Sequence, residues 1–371
     1  MAAAHPSLRG IPRWSSWRIP LTAWLLSRAL GFLALVVTPT PDGRWVNAFG
    51  LTAMDGQWYR IIITQGYPNW TAPGVATAWP FFPLYPWMAD LPTRVGAPIG
   101  PSMIVVSWLA ALVALGGVWH LVVRRFEERV AVLAVWLVAL LPGSIGLVLS
   151  YSDSLFLAGQ VWALVVIDNI ARSRAAGHAV SRWAWWQVGA LIAVATASRP
   201  NGFLLVVVAW VAVWCIDRRW RAVAAAALPS AAFLAGWMIY CQVKVGEPFV
   251  FLSAKDAWIE SPLWKFLAHP FAREAVPVHV AIAVAVIALA SPSLKKLPVW
   301  WLWAAVLLVG PSLFLGLEGL ARYVTLAVTL PIGCALTLSR RPVWIQRLVL
   351  VAAAIGLVLL GAWVVRYSWV P

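Results

Sequence analysis

An acid followed by an aromatic run, Asp55-Gly56-Gln57-Trp58-Tyr59-Arg60, interrupts a chain that is otherwise mostly apolar. A carboxylate at a water–lipid boundary can take the proton of a hydroxyl nucleophile, and aromatic rings hold a segment at that depth. Trp58, Tyr59, Ile62 and Ile63 give the stretch one apolar side, as expected of a helix lying along a membrane surface. The same acid, next to Gly56, equally suits a turn or a helix cap. Further on, Trp79-Pro80-Phe81-Phe82-Pro83-Leu84-Tyr85-Pro86 is too rich in proline for a helix and too apolar for free solution. It reads as a rigid aromatic wall or as a plain interfacial anchor.

Other charged residues stand where charge is costly. Asp153 lies between Ser152 and Ser154 at the start of an apolar run, where N-capping is the simplest role. Arg199-Pro200-Asn201-Gly202 separates two apolar runs, and Arg322-Tyr323 opens another. A guanidinium at that depth either pairs bidentately with phosphate or snorkels to the interface. Arg28 sits inside the first apolar run, where insertion costs about 2.5–3.5 kcal/mol, so it needs a polar partner. Asp55 and Asp153 are the candidates. The five histidines form no HExxH pair, and there is no P-loop, no GxSxG and no DxD. No cofactor is expected, and a divalent metal is left open. Cys215, Cys241 and Cys334 stand singly, without CxxC spacing. Asn69-Trp70-Thr71 fits an N-glycosylation sequon, a pattern that matters only in a secretory pathway.

What must position these groups is a set of membrane helices. The 371 residues are 62% hydrophobic and 11% charged, against roughly 25% charged for a soluble domain. Twenty-eight Lys and Arg against 13 Asp and Glu give a net charge of +15. The basic residues fall in short clusters between apolar runs, which favours a lipid bilayer over nucleic acid as partner. Apolar runs long enough for helices lie near 19–38, 101–123, 130–150, 153–171, 184–198, 202–216, 222–243, 276–291, 298–317, 322–338 and 347–366. The expectation is therefore an all-α polytopic integral membrane protein of about eleven transmembrane helices, forming one domain over 1–371. The basic N-terminus before the first run resembles a signal peptide, but Arg28 and the lack of a cleavage site favour a retained span. Pro142-Gly143 and Ser150-Tyr151-Ser152-Asp153 mark places for broken or re-entrant helices.

With the N-terminus in the cytoplasm, the clusters at Arg9/Arg13/Arg18, Arg124/Arg125/Arg129, Arg172/Arg174/Arg182, Arg218/Arg219/Arg221, Lys295/Lys296 and Arg340/Arg341/Arg347 all fall inside. Arg44, Arg60, Arg94, Arg199, Lys244, Lys255, Lys265, Arg273, Arg322 and Arg366 fall outside. Glu127, Glu128, Asp168 and Asp217 are inner acids; Asp42, Asp55, Asp90, Asp153, Glu247, Asp256, Glu260, Glu274 and Glu318 are outer ones. The two long loops, about 39–100 and 244–275, share that extracytoplasmic face, where any active site is expected. No internal repeat is evident, which counts against a carrier.

Taken in order, several blocks resemble the GT-C superfamily of membrane glycosyltransferases. They are most similar to the PIG-V-like family, which adds the second mannose of the GPI anchor, and its bacterial relatives. The blocks are Asp55-Gly56-Gln57-Trp58-Tyr59 through Gly66-Tyr67, Phe81-Phe82-Pro83-Leu84-Tyr85-Pro86, Tyr151-Ser152-Asp153-Ser154-Leu155-Phe156 and Ser198-Arg199-Pro200-Asn201-Gly202. Gly246-Glu247-Pro248-Phe249 with Lys255-Asp256-Ala257-Trp258 follows, and Arg322-Tyr323 fits a sixth. The chain departs from the family at Met54, where Trp is usual, and at Asp153 and Ser198, where Glu and Thr are common.

This resemblance implies a GT-C-like architecture in the cytoplasmic membrane. It implies a polyprenyl-phosphate sugar donor, with mannose as the sugar, and a glycan, glycolipid or protein acceptor in the cell envelope. Asp55 would be the base for inverting attack, with Asp153 orienting groups beside it. Arg199, Arg322 or Lys255 would hold the departing phosphate, while Trp58, Tyr59, Arg60, Phe82, Tyr85 and Tyr323 would line the substrate site. Two other classes stay open on the residues alone. One is a lipid or solute transporter with Arg28 and Asp153 along its path, and the other is a non-catalytic membrane subunit that has kept the fold.

Overall fold

Inside a bilayer no water is present to satisfy a peptide group, so spanning segments must make their own backbone hydrogen bonds. The computed structural model describes residues 17–38, 48–72, 74–258, 262–271 and 275–366, and among these no strand forms. Arg9, Arg13, Asp42, Arg44, Glu260, Arg273 and Glu274, assigned to loops above, lie outside the described residues, as does the side chain of Arg366.

The helices run in order as α1 (Arg18–Val36), α2 (Asp55–Gln65), α3 (Leu84–Thr93), α4 (Ile99–Val123) and α5 (Glu128–Leu140). The four-residue α6 (Ile145–Val148) precedes α7 (Asp153–Ala175), α8 (Ala184–Ser198), α9 (Leu205–Ile216) and α10 (Trp220–Val245). Two short helices, α11 (Val250–Ser253) and α12 (Leu263–Ala268), lead to α13 (Ala275–Leu294) and α14 (Val299–Val309). The chain then passes α15 (Ser312–Leu315), α16 (Leu320–Leu326), α17 (Thr329–Leu338) and α18 (Val343–Arg366).

Each expected apolar segment falls on one of these helices or on a bent pair. Six are long and apolar enough to cross a membrane alone, and eight if each bent pair counts as one span. The remaining three, Ala184–Ser198, Pro200–Ile216 and Val299–Leu315, are apolar but shorter. Both expected breaks are present: Pro142 turns the chain by 65° between α5 and Pro142–Val148, and residues 149–152 separate α6 from α7. A further bend, 75° between α16 and α17, falls inside the segment 322–338 expected as one span. Gly143 makes the first break usable, because a side chain there would run into the backbone carbonyl of Ala321 on α16. This close approach brings α16, and with it Arg322, against the mouth of the broken span.

Most buried apolar side chains form one core running through the bundle. A second cluster joins α2, α3 and the segment between them to α10 and α11 through Tyr59, Tyr67, Trp79, Phe82, Tyr85 and Trp237. Two expectations change here. The proline-rich stretch is not wholly non-helical: α3 begins at Leu84, and Pro86 sits in its first turn, where a missing N–H costs nothing. The inner side of α2, with Gly56, Tyr59 and Ile62, is buried against protein rather than laid on lipid.

Candidate active site

Asp55 and Asp153 are each the first residue of a helix, α2 and α7, so both carboxylates stand where the partial positive charge of a helix end favours them. Neither is the N-cap residue, which is Met54 in α2 and Ser152 in α7. Both turn to arginine instead. Arg322 Nη1 donates to Asp55 Oδ2 at 2.8 Å, and its Nε lies 3.4 Å from Asp153 Oδ2. Arg199 Nη1 pairs with the other oxygen, Asp153 Oδ1. One guanidinium thus bridges the two acids, and a second closes the set. The side chain of Asp153 is fully buried, whereas that of Asp55 is 26% exposed.

Aromatic rings hold the two arginines in place. The Arg322 guanidinium lies over the Tyr151 ring at 5.2 Å and that of Arg199 over Tyr323 at 5.7 Å, a stacking that fixes a flat cation without using up its N–H groups. Half-buried Lys255, in the 3₁₀ turn Ala254–Trp258, adds a third positive charge within electrostatic reach of the Tyr323 phenol. Tyr59 donates to Ser152 Oγ at 2.6 Å, tying α2 to the residue before Asp153. Burial pushes the Tyr59 phenol up to about 12, so it keeps its proton for this bond. Burial and the nearby Asp55 charge push the Tyr151 phenol up as well.

The turn that presents Asp55 is unusual. Met54 has φ 53° and ψ −119°, a conformation normally left to glycine in a type II′ turn, and Gly56 N closes the turn on Ala53 O at 3.1 Å. Gly56 has no room for a side chain, since a Cβ would lie 2.9 Å from Ser150 Oγ. Ser150 in turn gives both its N–H and its hydroxyl to Leu51 O, at 2.8 and 2.9 Å. Gly146 is just as confined: a Cβ there would press on Asp153 Oδ2 and sit 2.9 Å from Arg322 Cδ.

The structure therefore brings together Asp55, Asp153, Arg199, Arg322 and Tyr323, with Tyr59 alongside. Trp58 stacks on Phe81 at 5.9 Å between ring centroids. Arg60 is exposed on the same helix. Phe82 and Tyr85 are fully buried behind this layer. Phe82 packs against Phe251 and Trp237, and Tyr85 meets the Tyr59 ring at 4.7 Å while donating to Met103 O. Neither acid is the partner expected for Arg28, which donates instead to Leu147 O and to Ser27 Oγ and lies 5.4 and 5.9 Å from the ring centroids of Trp24 and Trp108. Tyr151 and His279 also lie by Arg322, and neither is among the site residues expected from the sequence. Buried His279 on α13 lies within electrostatic reach of Arg322, and no spacing with another ligand type marks it in the sequence. Among the described residues no three His, Cys, Asp or Glu side chains gather as a metal site.

No protein-family model matches the chain, and no curated protein matches it in sequence. Its fold does have solved counterparts. The oligosaccharyltransferase of Archaeoglobus fulgidus in the apo form superposes with a TM-score of 0.59 at 14% identity, covering 97% of this chain and 57% of that one. The same organism's AglB in complex with an inhibitory peptide and a dolichol-phosphate gives 0.52 at 13% identity over 97% and 57%. ArnT from Cupriavidus metallidurans bound to undecaprenyl phosphate gives 0.57 at 14%, covering 91% of this chain and 63% of that one. The chain spans a little over half the length of these neighbours. The regular structure among the described residues is all helical, as expected, and the chain shares its fold with these solved structures.

Proposed function

We propose that the chain is a membrane glycosyltransferase that moves a sugar, mannose on the PIG-V-like resemblance, from a polyprenyl-phosphate donor to an acceptor hydroxyl. The observation that carries this is the shared arginine: Arg322 holds both acids, and of the two only Asp55 stays open to the surface. Asp55 Oδ2 is occupied by Arg322, which leaves Oδ1 to receive a proton. The acceptor oxygen attacks the anomeric carbon, its proton passes to Asp55, and the bond from that carbon to the phosphate oxygen breaks with inversion. Charge building on the departing phosphate meets Arg199, Arg322 and Lys255. Asp153, fully buried, holds the two arginines in register and takes no proton. The undecaprenyl phosphate bound to ArnT and the dolichol-phosphate in the AglB complex support a donor of that class here.

The site faces the extracytoplasmic side of the cytoplasmic membrane in this reading, with the N-terminus inside, because the basic loops gather at the other end of the bundle. The transporter alternative loses one of its supports, since Arg28 is engaged with backbone and indole rings. The test supplies radiolabelled polyprenyl-phosphate mannose and candidate acceptors to membranes carrying wild type or Asp55→Asn. Losing a general base lowers transfer by about 10²–10⁴-fold; equal transfer by both proteins removes Asp55 from that role. Parallel donors carrying other sugars decide whether mannose is the one used.

A further inference from the structure

Arg28 is a buried charge within α1 that the site itself does not account for. Its side chain is 96% buried in α1, yet its described partners include no carboxylate. Arg28 Nη2 donates to Leu147 O, at the end of α6. That helix is four residues long, so its last carbonyls have no partner further along it and no water to turn to. Three consecutive carbonyls are served from outside: Leu147 by Arg28, Val148 by Trp108 Nε1 at 2.7 Å, and Leu149 by Ser107 Oγ at 2.8 Å. The two indoles beside Arg28 are themselves tied, Trp24 Nε1 donating to Trp108 O at 2.8 Å.

We propose that Arg28 is a positioning residue for Asp153, acting through the backbone of the broken span. The held residue, Leu147, directly follows Gly146, whose backbone lies against Asp153 Oδ2 and the Arg322 side chain. It also accepts from Ser154, the neighbour of Asp153, at 3.5 Å, and Ser154 Oγ lies 3.2 Å from Ser107 Oγ. Arg28 thus grips the segment 146–154 on its inner side, while Leu51 and Tyr59 grip it on the outer side at Ser150 and Ser152. A neutral donor would also satisfy one carbonyl. A cation adds attraction for the negative end of α6 and lies within cation–π reach of two indoles set at 89° to each other, which fixes where the guanidinium sits.

The test uses the full chain with Cys215 and Cys241 replaced by alanine, Ser150→Cys as a reporter in the gripped segment, and Cys334 kept as a buried reference in α17. Position 150 is fully buried. Arg28→Met is expected to raise maleimide labelling at position 150 by about tenfold relative to Cys334, through local opening, and Arg28→Lys to restore protection. No change at 150 overturns the proposal. So does an equal rise at 150 and at Cys334, which would make Arg28 a general support of the bundle. A second measurement rests on the transferase reading: Arg28→Met should raise the KM for polyprenyl-phosphate sugar and leave the acceptor KM unchanged. Absence of transfer by the wild type would sink that reading while the labelling still decides the role of Arg28.

Discussion

At the scale of single residues, the site is held by atoms that have little freedom. Tyr59→Phe removes the bond to Ser152 Oγ and should cost about 1–2 kcal/mol, seen as a lower unfolding temperature in detergent. Because burial lifts that phenol from 10.0 to about 12, folding favours its protonated form. This part of the stability is complete below pH 10 and fades as pH rises toward 12, so the unfolding temperatures of wild type and Tyr59→Phe should converge over that interval. Gly146→Ala places a methyl group on the Asp153 carboxylate and Arg322, and should raise the donor KM about tenfold as overpacking displaces them. The acids and arginines themselves were legible in the sequence, because a charge in an apolar run must have a reason. Their pairing was not. Arg28 reaches a backbone carbonyl 119 residues away, and a carbonyl leaves no mark on the residue type that bears it. The burial of Phe82 and Tyr85 is illegible for a related reason: an aromatic in a proline-rich loop looks the same whether it faces lipid or a second core.

At the scale of elements, the broken span does most to build the site. The 65° bend at Pro142 takes the chain out of line with α5, and the turned segment sets Gly146 against Asp153 Oδ2 and the Arg322 side chain. The Pro-Gly pair announced that bend, but not which helix would fill the space it opens. That depends on α16 settling on Gly143, a matter of packing between segments far apart in sequence. Trp108→Phe tests the clamp from the α4 side. It keeps a ring beneath Arg28 and leaves Val148 O without a donor, so it should lower stability by about 1–3 kcal/mol with the bundle otherwise intact. Thermal unfolding checks the size of the effect; a loss below that range would mean the carbonyl finds another donor.

At the scale of the whole molecule, charge is sorted to two ends. Along α7, Asp153 and Asp168 are fifteen residues apart, or about 22 Å. The far end carries its own network, with Arg125 and Arg172 on Asp168 and Arg174 on Asp217. If that basic end is cytoplasmic, a tag inserted near Thr71 should be reached by impermeant reagent from outside; access only from the cytoplasm would invert the topology and the reaction built on it. The two ends were foreseeable from loop composition, since lipid enforces the separation residue by residue. Met54 then acquires a meaning that no charge count gives. Its backbone sits where glycine belongs, yet its side chain packs against the main core. Met54→Gly should therefore exchange a torsional penalty of about 1–3 kcal/mol for a lost anchor of similar size, leaving the unfolding temperature nearly unmoved. Transfer should still fall, because a turn free to rotate no longer aims Asp55. The chain keeps a tense residue where a relaxed one would fit, and what it retains is aim.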